Sequence, residues 1–370
     1  MRVLHIINSL RMGGAEKLLA KMACLMKANG VDVELLVLDR KGAMFMDLLQ
    51  EREVSFSFSP TQTLYSFLQI KAIKAFSKNQ AYDIIHTHLF PAQLWSTMAL
   101  SRSGIPLITT EHSTYNRRRD YKTYRKIDRW MYGKYAKIIC NSQVTKDCLE
   151  QWVPETPPKT VLIHNGIDLE AFDSAEAYPR EILINGYDPG IRLLLKVSSF
   201  SQAKDHATVI RALADLPDRY HLLLVGEGPK EKEIRNLTAS LGMNPRVHFL
   251  GVRTDVSRIA KSVDVLIQSS HWEGFGLSVV EGMACGLPVI VSRTPGLADI
   301  FQKAALSVPV GNAQALAEMV RKLEDPSLYQ AYATMSLEES KHFSLSKMVS
   351  DYECVYDQVI RSQPSRSTCS

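Results

Sequence analysis

The chain has 370 residues, of which 45% are hydrophobic and 22% charged. That is the balance of a globular protein, long enough for two ordinary domains, and it excludes disordered and fibrous classes. The net charge of +5 is local: residues 113–146 carry ten Lys or Arg against Asp120 and Asp128, a segment of +8, which leaves the rest of the chain at −3.

No run reaches the ~18 apolar residues that a membrane-crossing helix needs. The opening MRVLHIINSL is polar by Asn8 and reads as a first strand, not as a leader peptide. The six cysteines (Cys24, Cys140, Cys148, Cys285, Cys354, Cys369) have no C-x-x-C spacing. They fit reduced thiols in a cytosol better than a disulfide framework or a zinc site.

Residues 2–7 predict a buried strand, followed by the loop NSLRMGGAEK and a helix from Ala15 to Ala28 with apolar residues at helical spacing. Gly13 and Gly14 fall between them, where a backbone can approach a ligand. Strand patterns at 31–38, 83–87, 106–110, 137–140 and 160–163 alternate with helical ones at roughly 63–78, 92–102 and 119–135. Such alternation means a mostly parallel sheet covered by helices. His86 and His88 end one strand and point to the same side of it; a metal pair there would want an acidic or cysteine partner, and the sequence offers none nearby. His112 ends the next strand in T-T-E-H-S, and an imidazole there can exchange a proton near neutral pH. In the basic segment, Tyr124, Ile127, Met131 and Tyr135 share one helical face, predicting a helix docked through that face with a charged back.

Turn signals at Asn165-Gly166 and a loop-like stretch with Pro179, Gly186, Pro189 and Gly190 predict a linker at 176–190. Strand and helix patterns then restart at 191–197 and Thr208–Leu213, joined by SSFSQAKDH, in which Lys204 is a candidate phosphate contact. Strands at 221–225 and 247–250 follow, the second leading through Gly251-Val252-Arg253 to a helix near Asp255. The glycines at 226 and 228 form no dinucleotide fingerprint, because Glu231 stands at the third position. The most informative stretch is DVLIQSSHWEGFGLSVVEGMACGLPVIVS at 264–292. Two β-type runs flank a glycine-broken loop (Glu273, Gly274, Phe275, Gly276) and a short helix from Leu277 to Ala284. Free N–H groups near Gly276, Leu277 and Ser278 would make an anion site, and Glu281, one turn on, is placed to accept hydrogen bonds from sugar hydroxyls. Helices at roughly 312–324 and 344–361 close the chain.

EGFGLSVVEGMACGLPV resembles the E-x7-E signature of retaining glycosyltransferases of family 4, which have the GT-B fold. G-G-A-E at 13–16, V-L-I-H-N-G-I-D at 161–168 and T-P-G-L at 294–297 are similar to other segments of that family. The resemblance covers about residues 3–345. It implies an α/β fold of two Rossmann-like, doubly wound domains facing across a cleft. The expected layout is an acceptor-side domain at 1–175, the linker at 176–190 and a donor-binding domain at 191–343. A helix at 344–362 would cross back to the first domain, and 363–370 would be a disordered tail.

The implied activity is transfer of a hexose-type sugar from a nucleotide-diphosphate sugar, UDP favoured over GDP, to a glycan or lipid-linked acceptor in bacterial surface polysaccharide or lipopolysaccharide synthesis. His112 and Glu273 are carried over as catalytic. Gly13, Gly14, Lys204, Arg253, Gly274, Phe275, Gly276, Leu277, Ser278 and Glu281 are carried over as donor-binding. Many relatives have arginine where this chain has Ser199, so the phosphate clamp lacks one customary cation, which Arg253 or another basic residue would have to replace. With no D-x-D pair in a strand-end loop, neither metal nor cofactor is expected. The residues identify no nucleophile. The basic segment 117–137 suits an anionic membrane surface at the inner face of the plasma membrane and not nucleic acid, since pI ≈ 8.7 is modest. Rival readings are a catalytically silent nucleotide-sugar-binding protein on the same scaffold, which Ser199 favours, and a hydrolase or epimerase of the nucleotide sugar.

Overall fold

The computed structural model describes residues 1–61, 63–78 and 80–363. They divide into two compact units: residues 1–166 with the C-terminal helix Leu345–Arg361, and residues Ile167–Ser344. Each is built on one wholly parallel sheet. The first unit contains β1 (Arg2–Ser9), β2 (Asp32–Asp39), β3 (Ser55–Phe58), β4 (Ile84–His88), β5 (Leu107–Glu111), β6 (Lys137–Cys140) and β7 (Thr160–Leu162), in the order β3-β2-β1-β4-β5-β6-β7. The second contains β8 (Arg192–Val197), β9 (Tyr220–Val225), β10 (Val247–Gly251), β11 (Val265–Gln268), β12 (Val289–Ser292) and β13 (Ala305–Val308), in the order β10-β9-β8-β11-β12-β13.

Both orders reverse once, between β1 and β4 in the first unit and between β8 and β11 in the second. At such a reversal the connections leave in opposite directions, so the carboxyl ends of the two central strands open a crevice. The central strands β1, β8 and β11 are mostly apolar because both faces are covered, interrupted by His5, Lys196 and Gln268, while β4 carries His86, Thr87 and His88. In β8, Leu193 and Leu195 join the cluster of Val279, Val280, Phe275 and Phe301, while Leu194 joins the opposite cluster of Val209, Leu213 and Leu316.

The predicted strands are present within a residue or two, and the helix Leu277–Ala284 matches its predicted bounds. Several elements gave no sequence signal, among them β3, β13 and the helices Met46–Glu51, Gln143–Trp152, Glu231–Ser240, Pro295–Phe301 and Pro326–Ser340. The last has its apolar residues scattered and buries only Ala333, Ser336 and Ser340; its start is marked instead by Asp325, whose carboxylate accepts from Ser327 N and Leu328 N ahead of Pro326. The expected tail lies almost wholly outside the described residues.

The expected linker at 176–190 is not a free connection. It contains a helical turn, Arg180–Leu183, and Leu183 and Ile184 lie in the second unit's core beside Phe172 and Ile259. The chain passes from one unit to the other at Gly166–Ile167, nine residues before the boundary expected at 175. The proline and glycine spacing had signalled turns, and turns are compatible with docked chain. Asp264, at the mouth of β11, holds this segment down. Arg180 forks onto its carboxylate at 3.0 and 3.1 Å, Arg192 adds 3.2 Å, and Leu193 N donates at 2.7 Å. Replacing Asp264 by Ala leaves Leu193 N and two guanidinium groups without their acceptor. This should cost about 3 kcal/mol of stability, the scale for breaking a largely buried charged network, and should speed proteolysis within 176–190. Unchanged denaturant midpoint and digestion rate would show that the segment is held by its apolar residues alone.

Candidate active site

In the second unit, the sequence-predicted residues gather at the carboxyl ends of β8 and β11, the reversal point of the sheet. Lys204 lies in the 3₁₀ turn Gln202–Lys204 after β8, and Glu273 in the loop after β11. Their side chains meet: the Lys204 ammonium pairs directly with the Glu273 carboxylate. Gln268 Nε2 reaches the same carboxylate at 3.3 Å, and Gly274 N donates to its other oxygen at 3.2 Å. Gly276 opens the helix Leu277–Ala284 at φ +91°, a left-handed conformation that glycine adopts without strain. A Cβ there would stand 2.5 Å from Leu297 Cδ2. No side chain among the described residues caps this helix start, so N–H groups of its first turn are available to an anion. Ser278 Oγ donates to Gln268 Oε1 at 3.3 Å, and Glu281 is buried one turn further in.

The loop is held from behind by the helix Pro295–Phe301. A Cβ on Gly296 would stand 1.9 Å from Glu273 O, so glycine there is what allows the Glu273 backbone to lie against the start of that helix. The T-P-G-L segment is therefore a support for the Glu273 loop.

Two expected site residues are committed elsewhere. Phe275 is 2% exposed, and its ring packs against Phe301 and Phe343 with centroids 5.9 and 5.5 Å away, so its side chain belongs to the core. Arg253, expected as a substitute cation, follows β10, which two strands separate from β11. It forks onto Asp255 at 2.8 and 2.5 Å, and Tyr178 Oη donates to the same carboxylate at 2.6 Å. Those bonds, led by Arg253's, hold the Asp255 carboxyl well below its ordinary range, so the charge of Arg253 is matched locally. Ser199 is exposed, its hydroxyl 3.4 Å from that of Ser201.

In the first unit, Gly13 and Gly14 follow β1 at its reversal point. The Glu16 carboxylate folds back over Gly13, where a Cβ would lie 2.2 Å from Oε2, so Gly13 is needed for that approach whatever else the loop does. Burial raises the Glu16 pKa. His112 follows β5, and its carbonyl accepts from Asn141 Nδ2 at 3.2 Å. The residue before it, Glu111, anchors a buried polar network that the sequence gave no reason to expect. Its carboxylate accepts from Gln93 Nε2 and Tyr132 Oη, both at 2.6 Å, and from Arg119 Nη2 at 3.3 Å. Arg118 joins Tyr132 at 2.8 Å and Asp128 at 3.0 Å.

That network also corrects the face assigned to the basic helix. The helix Tyr124–Gly133 buries Asp128, Met131 and Tyr132, while Tyr124, Ile127 and Trp130 are exposed. The docked face is polar at Asp128, because Arg118 folds beneath the helix to meet it. A face chosen by apolar character alone therefore falls one step around the helix.

His86 and His88 are joined by His5 of β1, and the ring nitrogens of the three come within 4.8 Å of one another. A hydrogen-bonded row runs from His112 through His88 to His5, with His86 stacked beside it. His112 Nε2 lies 3.4 Å from His88 Nδ1, and His88 Nε2 lies 3.0 Å from His5 Nδ1. His86 bonds Thr110 Oγ1 at 2.8 Å and Tyr356 Oη at 2.6 Å. The His86 and His88 rings stack at 4.3 Å with planes 25° apart.

Comparison with known proteins agrees with this architecture. The family profile "Glycosyltransferase Family 4" matches residues 12–171, and the profile "Glycosyl transferases group 1" matches residues 181–336. Among curated relatives, the N-acetyl-alpha-D-glucosaminyl L-malate synthase of Bacillus anthracis is 31% identical over 182 residues, 48% of each chain. The UDP-Gal:alpha-D-GlcNAc-diphosphoundecaprenol alpha-1,3-galactosyltransferase of Escherichia coli is 28% identical over 59% of this chain and 60% of its own. The chain thus spans only about half to three fifths of the length of these two relatives. Among solved structures, Anabaena HepE in complex with UDP and glucose superposes with a TM-score of 0.86 over 96% of this chain and 99% of its own, at 21% identity.

The histidine row gives the first unit a pH signature. Burial lowers the pKa of His5 to about 3 and of His112 to about 4, and it holds His86 and His88 well below their ordinary value. Unfolded, each would take up a proton below about pH 6.5. The unfolded state therefore binds more protons below that pH, so stability is complete above about 6.5 and is lost as the pH falls toward 4. Denaturant midpoints at pH 7.5, 6 and 5 should fall steeply for the native chain. They should fall less for His5→Leu, by up to about 1.4 kcal/mol per pH unit for the one proton removed. Equal slopes would mean that His5 is already protonated in the folded protein.

Proposed function

The chain belongs to the family 4 glycosyltransferases of the GT-B fold, and from that premise we propose that it transfers a hexose-type sugar from UDP-sugar, with retention at the anomeric carbon, to a glycan or lipid-linked acceptor in bacterial surface polysaccharide synthesis. The observation that carries this reading is the Lys204–Glu273 pair standing before an uncapped helix start at the reversal point of the second sheet. Together they offer an ammonium, backbone donors and a carboxylate within one loop cluster, which suits a diphosphate joined to a polyhydroxylated ring. Departure of the diphosphate needs positive potential at the bridging oxygen. Lys204 and the first-turn N–H groups of Gly276–Ser278 supply it without a metal ion.

Glu281 binds the ribose hydroxyls, and Glu273 meets the hexose. His112, held neutral by burial at physiological pH, acts toward the reacting sugar as a hydrogen-bonding group and not as a cation. UDP is preferred over GDP because the similar Escherichia coli enzyme uses UDP-Gal and HepE is bound to UDP.

The membrane reading is favoured by the exposed face of the basic segment. Tyr121, Tyr124, Ile127 and Trp130 stand out beside Lys122 and Lys126, and a surface cavity of about 380 Å³ is lined by Lys126, Arg129, Trp130, Gly133 and Lys134. Aromatic side chains among cations suit the headgroup layer of an anionic bilayer, which would place the enzyme at the cytoplasmic face. No helix of the described residues is long and apolar enough to cross a membrane.

Incubation with radiolabelled UDP- and GDP-sugars, with and without a lipid extract, tests the activity. Label should move to an extract component and survive excess EDTA. Binding without turnover would support the silent reading, acceptor-independent loss of donor would support the hydrolase or epimerase, and rescue by Mn²⁺ after EDTA would overturn metal independence. Glu281→Ala should weaken UDP binding about ten- to a hundredfold, the loss of a charge-assisted hydrogen bond of ~1.5–3 kcal/mol; calorimetry showing unchanged affinity removes the ribose assignment.

The membrane surface is probed at Lys122 and Lys126, because Arg125 is taken by Trp152 O and Arg129 by Glu155. The double change to Gln should reduce sedimentation with anionic vesicles roughly thirtyfold at low salt, at ~1 kcal/mol per basic residue. Vesicle binding that ignores both salt and these two lysines would refute it.

A further inference from the structure

Lys196 sits in the middle of the second sheet with its side chain fully buried. An ammonium taken from water costs several kcal/mol unless its surroundings replace the lost hydrogen bonds. Here the replacement comes from one residue. Lys196 Nζ donates to Ser269 O at 2.8 Å and to Ser269 Oγ at 3.1 Å. Ser269 Oγ in turn donates to Asp205 O at 2.8 Å.

Three chain segments meet at this point: the strand β8, the turn 202–205 that carries Lys204, and the 269–276 loop that carries Glu273. Asp205 is itself constrained, at φ +35°, with Oδ1 accepting from Thr208 N at 3.3 Å and Oδ2 buried without a hydrogen-bond partner among the described residues. Among the described residues, no carboxylate touches the Lys196 ammonium directly.

We propose that Lys196 is a buried positioning residue of the donor site, whose ammonium fixes Ser269 and through it sets the turn of Lys204 against the loop of Glu273, so that diphosphate binding requires Lys196 to be charged. This rests on the reading of that site as a nucleotide-diphosphate site. The electrostatics supply the switch. Burial first, and then the Lys204 charge, lower the Lys196 pKa to about 7, against the opposing fields of Asp205 and Glu273. His206, whose Nε2 lies 3.3 Å from Ser198 Oγ, and His271, 3.7 Å from Asp205, are the other titratable groups around the cluster. With Lys196, Lys204, Asp205 and Glu273 all ionised, the four charges cancel. An incoming diphosphate adds two or more negative charges, which favours the protonated lysine, so binding takes up a proton wherever Lys196 is neutral beforehand. Without its proton, Lys196 keeps two N–H donors for the Ser269 oxygens but no longer offsets the charge of an incoming anion, so the site holds the diphosphate less firmly.

The test is calorimetric titration with UDP and GDP between pH 7 and 8.5, above the last ionisation of a nucleoside diphosphate, in two buffers of different ionisation enthalpy, with inorganic pyrophosphate titrated at pH 7 as a probe of binding alone. For the native chain, Kd should rise about tenfold across the window, with net proton uptake on binding. Lys196→Arg carries a charge that does not titrate there, so it should bind at pH 7 within about threefold of the native chain and lose the pH dependence. Lys196→Met, of similar length and uncharged, should bind about tenfold more weakly at pH 7 and also lose it. The native chain alone decides the matter if either variant fails to fold: a flat profile without proton uptake overturns the proposal and leaves the donor site standing. A variant that keeps the native pH profile overturns it as well, by assigning the proton to another group. If none of the three ligands binds at any pH, the donor-site reading falls and this one falls with it.

Discussion

Parallel strands must be joined by crossovers, and a crossover can leave a strand in only two directions along the sheet. The point where the direction reverses is therefore fixed by chain connectivity, and loops leaving the two central strands there diverge instead of covering each other. In this protein the reversal between β8 and β11 brings Lys204 and Glu273, 69 residues apart in sequence, into direct contact. The reversal between β1 and β4 likewise places Gly13, Gly14 and the end of the histidine row on one edge. The site is a consequence of strand order before it is a consequence of any single side chain.

Charge is matched closely around that edge, and the matching separates candidate cations from committed ones. Arg253 with Asp255 and Arg180 with Asp264 are structural pairs, each bidentate and each fixing a backbone segment. Lys204 differs because its partner, Glu273, lies on the very loop that a ligand would have to approach. A pair on an edge built for ligands can exchange one partner for another, whereas Asp264 is occupied on both oxygens by three separate residues. That difference, and not the number of basic residues nearby, is why Lys204 remains the phosphate candidate.

Much of this was legible in the sequence. The strand–loop–helix–strand pattern of 264–292 was read nearly to the residue, because the signal is local: apolar β-runs, glycines at the turn, and a helix whose apolar positions repeat properly. Where the reading failed, the missing information was non-local. The docked face of Tyr124–Gly133 depends on Asp128 finding Arg118, and no periodicity announces that a carboxylate will be buried. Phe275 sits inside a binding-type motif, yet its ring completes a cluster with Phe301 and Phe343, residues far along the chain. The stretch 176–190 has the composition of a linker and is nailed down by Asp264, more than seventy residues later. One signal was visible and passed over: Lys196 is the lone charge inside the apolar run LLLKV, and a charge in an interior strand of a parallel sheet needs a reason.

The two units answer the same physical problem in opposite ways. Behind the edge of the first sheet lie His5, His86 and His88, groups that burial keeps neutral; His5 and His88 satisfy each other through ring nitrogens, and His86 is satisfied by the hydroxyls of Thr110 and Tyr356. Such a group adds polarity without net charge. Behind the edge of the second sheet lies Lys196, an ammonium with no direct counter-ion among the described residues, near Lys204. A cation in that place would be a liability in an empty site and an advantage when a diphosphate arrives. The two sheets therefore bury opposite kinds of titratable group behind the same edge: neutral donors and acceptors in the first, stored positive potential in the second.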